Sequence, residues 1–153
     1  MRPWLGAVLV GLAIGSGRAQ PGPDGLLPPC PSTPNCVSSE TDPADRLHFV
    51  PPLPLPDGLD PIAALDAFEA ILRSEPRTEV IDRTPLRLRA TDRTRWLRFV
   101  DDVEARVDVE ARLLHVRSAS RVGAGDMGAN RRRVEAWLGA VAKAWGVAWH
   151  APR

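Results

Sequence analysis

Two alternating runs set the architecture of this chain. They are Phe99-Val-Asp-Asp-Val-Glu-Ala-Arg-Val-Asp108 and Leu113-Leu-His-Val-Arg-Ser-Ala-Ser-Arg-Val122, separated by the short link Val109 to Arg112. Strand-like alternation on both sides of a short polar link predicts an antiparallel hairpin. With Asp108 opposite Leu113, Asp101 falls across from Ser120, with Ser118 and Val122 on the diagonals, and Glu104 falls across from Arg117. Leu97, Phe99, Asp101, Val103, Ala105 and Val107 share one parity, so a regular strand turns Asp101 toward the apolar face. A carboxylate buried there is costly unless it is paired. It could be a perturbed acid or a ligand group. It could also cap backbone N–H groups, or a bulge at Asp101-Asp102 could turn both carboxylates outward. Asp102, Glu104, Arg117 and Arg121 share the other face. Cross-strand pairing accounts for these charges, and two fork-shaped guanidinium groups would also suit an anionic ligand.

The flanking sequence completes the domain. Asp60-Pro61 opens a helix as N-cap and first residue, Ile62, Leu65, Phe68, Ile71 and Leu72 form its stripe, and Pro76 closes it. Thr78 to Asp82 reads as a short strand. Leu86 to Thr91 reads as another, with Leu86, Leu88 and Ala90 on one face. Val134, Trp137, Leu138, Val141, Ala142 and Trp145 repeat at helical spacing, between Asn130 as N-cap and Gly146 as C-terminal stop. Trp137 and Trp145 are both expected in the core. The order helix, four strands, helix predicts a two-layer α+β domain, with an antiparallel sheet of about four strands and both helices packed on one face.

Gly123-Ala-Gly-Asp-Met-Gly128 matches a phosphate-loop pattern between a strand and a helix. The second half of a βαβ unit is missing, and Asp126 would repel a phosphate, so a tight turn is the better reading. Arg131, Arg132 and Arg133 sit at a helix N-terminus, where the dipole favours negative charge. They therefore need Asp101, Asp102, Asp126 or a bound anion as partners. The candidate ligand-binding residues are Asp101, Asp102, Arg117, Ser118, Ser120, Arg121, Asp126, Asn130, Arg131 and Arg133, expected to form one connected network. Asp101, Asp102, Glu104 and Asp126 could hold a hard cation, but the neighbouring arginines argue against a metal. His48, His115 and His150 form no catalytic or metal-binding spacing. No cofactor is expected.

The N-terminus reads as a processing signal. Met1-Arg2 precedes an apolar run from Leu5 to Gly15, and Gly17-Arg18-Ala19 fits a cleavage site before Gln20. The run is short for a bilayer span, although a retained anchor is the alternative. Residues 1–19 are thus expected as a leader, 20–56 as a Pro-rich extended segment and 57–153 as one α+β domain. A chain of 153 residues with net charge +1 suits one domain and gives no support for a nucleic-acid partner. Loss of Arg2 and Arg18 would take the charge to −1. Cys30-Pro-Ser-Thr-Pro-Asn-Cys36 holds both cysteines. An exported chain meets an oxidising compartment, and the prolines can turn the two sulfurs together, so a structural disulfide is expected rather than a redox dithiol.

Cys30-Pro-x-x-Pro-Asn-Cys-Val-Ser-Ser39 and Arg117-Ser-Ala-Ser-Arg-x-Gly-x-x-Asp-x-Gly-x-Asn-Arg131 stand in this order in the chain. On these motifs the sequence resembles the domain of unknown function 1499 family. The resemblance implies an exported domain of bacterial envelopes or the thylakoid lumen, and it implies no activity or catalytic residue. Leu86-Arg-Leu-Arg-Ala90 lacks the aromatic and carboxylate residues usual there in the family. Two functional classes follow. One is a non-catalytic binding or accessory module, periplasmic or extracellular, for an anionic small molecule or an envelope protein. The other is a carboxylate-dependent hydrolase or transferase using Asp101 or Asp126 as base.

Overall fold

The computed structural model describes residues 25–95 and 97–151. The expected leader, residues 1–19, lies outside them. The elements run β1 (Cys36–Ser38), β2 (Leu53–Pro54), α1 (Pro61–Ser74), β3 (Thr78–Thr84), β4 (Arg87–Arg93), β5 (Val100–Asp108), β6 (Leu113–Ser120) and α2 (Ala129–Trp145). The strands form one antiparallel sheet in the order β1-β6-β5-β4-β3, and β2 also pairs with β6. The α+β architecture with two helices is as expected, but the sheet has six strands rather than about four. The hairpin leaves the far edge of β6 with unpaired backbone groups, and the Pro-rich segment covers that edge with β1 and β2. Its prolines flank β1, and Pro54 ends the two-residue β2, as an edge position allows.

The β5–β6 register is unbroken from Asp108 opposite Leu113 to Asp101 opposite Ser120. This excludes a bulge at Asp101-Asp102; the irregularity of the sheet lies in β3, between Val80 and Asp82. One sheet face carries Leu88, Ala90, Val103, Ala105, Val107, Leu114 and Val116, all buried. Both helices pack on it. Asp60 caps α1 by accepting the N–H of Ile62 at 2.9 Å and of Ala63 at 3.0 Å. Leu65, Phe68 and Leu72 fill the core, while Ile62 in the first turn stays exposed. From α2, Trp137 meets Phe68 edge-on, with ring centroids 6.3 Å apart. Trp145 is only half-buried, at the last residue of the helix. Val37, Val50, Leu53 and Leu55 bring the Pro-rich segment into the same core.

Leu97 and Phe99 depart from their expected place beside Val103. They precede the first residue of β5 in a loop closed by Thr94, whose N–H donates to the Phe99 carbonyl and whose Oγ1 accepts the Phe99 N–H, both at 2.9 Å. Both side chains are exposed. The other sheet face is polar, and residues 27–30 and 39–40, on either side of β1, lie against it over β4, β5 and β6. Glu40 accepts the Leu27 N–H and pairs with Arg106, which ties this strap to the sheet. The Cys30–Cys36 disulfide closes the turn leading into β1, with Cα atoms 5.6 Å apart.

Candidate functional site

The alternation that builds the core also carries polar residues to its end. Past Ala90 and Val103, the same parity brings Asp92 on β4 beside Asp101 on β5, and Ser120 on β6 beside Asp101. Two carboxylates thus lie side by side on the apolar face, and Asp101 is 1% exposed. Arg133 reaches down from the second turn of α2 between them. Its Nη2 lies 2.8 Å from Asp92 Oδ1 and its Nη1 2.8 Å from Asp101 Oδ2. The contact with Asp101 is ionic without hydrogen-bond alignment, so both Asp101 oxygens lack a hydrogen-bond donor. Asp92 also accepts from Thr78 Oγ1 at 2.8 Å. Burial raises the Asp92 pKa above its ordinary value, against the pull of Arg133. The Arg133 guanidinium also stacks over the Trp137 ring, 5.9 Å from its centroid.

Asn130 links this cluster to the turn before α2. Its side chain is wholly buried, with Oδ1 accepting from Ser118 Oγ at 2.5 Å and from Arg133 Nη1 at 3.0 Å. Its Nδ2 faces Asp126 Oδ2 at 2.7 Å, Ser120 Oγ at 3.0 Å and the Asn35 carbonyl at 3.1 Å. Asn130 is therefore not the N-cap. Gly128 holds that position at φ 75°, and Asp126 caps the turn from upstream, accepting the N–H of Gly128 and of Asn130 at 2.8 Å each. Left-handed backbone at Gly128 is open to glycine at little cost, and this lets the turn close one residue early.

The expected single network divides in two because strand parity separates its members. Asp101, Ser118, Ser120, Asp126, Asn130 and Arg133 join on the core side. Asp102 and Arg121 form an exposed two-pronged pair on the other face, at 2.8 and 3.0 Å. Arg117 pairs there with Glu104 at 2.8 Å, buried under the strap, and donates to the Pro29 carbonyl at 3.4 Å. Burial pushes the Glu104 pKa up even with Arg117 beside it. Arg131 joins neither group. It donates to the carbonyls of Arg46 and Leu47 and lies 3.4 Å from Glu135. Arg132 likewise turns back to the Met127 carbonyl at 2.7 Å. Among the three arginines at the start of α2, Arg133 alone meets an aspartate expected for it.

Asp92 is a member that the reading of the sequence passed over. It lies one step along the parity of Leu88 and Ala90, just past Thr91, the last residue of the expected strand. Asn35 and Thr78 were passed over too, and no local pattern marks them, since tertiary packing alone brings them in. The core-side cluster meets solvent at a cleft of about 330 Å³, lined by Glu75, Arg77, Asp92, Arg132, Arg133 and Trp137 among others. A second cleft of about 250 Å³ lies on the polar face between the strap and β4, with Arg87, Arg89 and Glu104 in its wall.

Comparison with known proteins adds one family and two partial likenesses. Over 66 residues the chain is 43% identical to extracellular matrix protein 1 of Mus musculus, and over 66 residues it is 41% identical to the protein of that name in Rattus norvegicus. The match takes in 43% of this chain and 11% of each of those proteins, so the chain spans about a tenth of their length. No solved structure matches. A family model described as a protein of unknown function (DUF1499) covers residues 26–141, from the strap through the sheet to most of α2, and the chain belongs to that family.

Proposed function

We propose that the protein is an exported envelope component that works as a binding or accessory module, taking an anionic small molecule or the anionic side chain of a protein partner. The carrying observation is the cleft where the buried cluster reaches solvent. Arg133 forms part of its wall and is held by two carboxylates, an indole face and Asn130, so its guanidinium is fixed before any ligand arrives. Arg77 and Arg132, both exposed, stand at the same cleft. Three guanidinium groups meet two carboxyl groups there, and one of these, Asp92, is already engaged by Arg133. That balance suits a carboxylate or a phosphate. A general-base role for Asp101 or Asp126 has less support. Asp101 is closed off from solvent, Asp126 is engaged by two backbone N–H groups, and neither lines the cleft. The leader pattern and the disulfide support export.

Native mass spectrometry of protein purified from its own host tests the reading by the mass of any retained ligand. Titration with inorganic phosphate and with citrate, followed by amide chemical shifts, tests the site directly. Shifts are expected at Arg77, Ala129 and Arg132, and an Arg77→Ser/Arg132→Ser variant should lose them. No excess mass together with no shift in either anion would refute the proposal.

A further inference from the structure

We propose that the end of the sheet carrying the β4–β5 loop is a docking surface for a lipid membrane rich in anionic headgroups. β4 ends and β5 begins at this end, and β6 leaves it toward α2, so residues 94, 95 and 97–99 project from it beside residues 121–128. The Arg121 N–H donates to the Val100 carbonyl at 3.1 Å, which joins the two loops at their base. Their large apolar side chains face water: Leu97 is 71% exposed, Phe99 46%, Val122 53% and Met127 93%. Arg93 and Arg98 are exposed beside them. The carboxylates of this end are turned to other work. Asp92 and Asp101 are buried on Arg133, Asp102 is paired with Arg121, and Asp126 holds backbone N–H groups.

Apolar tips on a basic rim have the chemistry of an interfacial lipid contact. The tips enter the acyl boundary while guanidinium groups meet headgroup phosphates. The apolar residues stand on separate loop tips rather than lining one groove, which suits a fluid surface. A second copy would set arginine against arginine across a two-fold contact. No helix among the described residues is long and apolar enough to cross a membrane, so the contact would be peripheral. This inference does not rest on the anion-binding cleft.

The test is hydrogen–deuterium exchange of the chain as its host processes it, with and without vesicles. Phosphatidylglycerol–phosphatidylcholine vesicles should protect the amides of 94–99 and 121–128, and high salt should weaken that protection. Reading exchange at these loops separates the surface from any binding by the N-terminal apolar run. A Leu97→Asp/Phe99→Asp variant should lose the loop protection and partition to vesicles roughly tenfold less. Met127→Asp gives a second variant should the double change disturb folding. Unchanged exchange at both loops, or equal protection by pure phosphatidylcholine, would overturn the proposal. So would a dimer in light scattering that the same variants dissolve, which would assign the surface to a second copy.

Discussion

Arg133 faces two buried carboxylates with one positive charge. This imbalance makes the three groups unequal in what they contribute. Removing Asp101 leaves the guanidinium paired with Asp92, whereas removing Arg133 strands two carboxylates that lie side by side. Arg133→Met should therefore destabilise the protein by about 3–5 kcal/mol, and Asp101→Asn by no more than about 1 kcal/mol. Adding Asp92→Asn and Asp101→Asn to Arg133→Met should recover much of the loss, because the uncompensated charge goes with them. Urea denaturation of these variants at neutral pH checks the order; a cost for Asp101→Asn equal to that for Arg133→Met would show the cluster to be wired differently. Parity alone located Asp101, since it shares a face with Val103 and Ala105. The identity of its partner was not readable, because Arg131, Arg132 and Arg133 are alike in sequence. Helix phase separates them: Arg133 stands one turn before Trp137, on the side of Asp92 and Asp101, Arg131 stands one turn before Val134 on the other flank of the stripe, and Arg132 points outward.

The second helix is the element on which core and cluster converge. Its apolar stripe was evident from spacing, and Val134, Trp137, Leu138 and Val141 are all buried. Its start was not, because Asn130 has the chemistry of an N-cap but is drawn into the core by Ser118, Ser120 and Arg133. Asp126 and Gly128 then close the turn instead. Trp137 ties the element together, edge-on to Phe68 and beneath Arg133. Trp137→Ala should cost about 3–5 kcal/mol in equilibrium unfolding, while Trp145→Ala, half-buried at the helix end, should cost clearly less. Equal costs would mean that the last turn of α2 packs more tightly than its burial indicates.

At the scale of the whole molecule, the strap turns a two-layer domain into one whose polar sheet face is partly covered. His115 lies beneath it, with Nδ1 3.2 Å from Ser39 Oγ and 3.9 Å from Glu40 Oε1. Burial lowers the His115 pKa below its ordinary 6.5, outweighing the pull of Glu40 in the opposite direction. The unfolded chain then binds the proton more readily than the folded one, so this contribution to stability is complete above pH 6.5 and falls away as the pH drops below it. Melts of wild type and His115→Gln should accordingly differ by an amount that changes with pH below 6.5 and is constant above it. A difference independent of pH throughout would mean that His115 stays solvated. By itself, the sequence determined the hairpin register, the helix stripes and the disulfide partners. Each of these follows from local periodicity or from a lone pair of cysteines, with no reference to distant residues. The tertiary structure alone decided that Leu53 and Cys36 extend the sheet, that Asp92 and Asn35 join the cluster, and that Asp101 stays inside against Arg133. Those outcomes depend on which edges and charges remain unsatisfied once the elements have packed, and no short window of sequence carries that information.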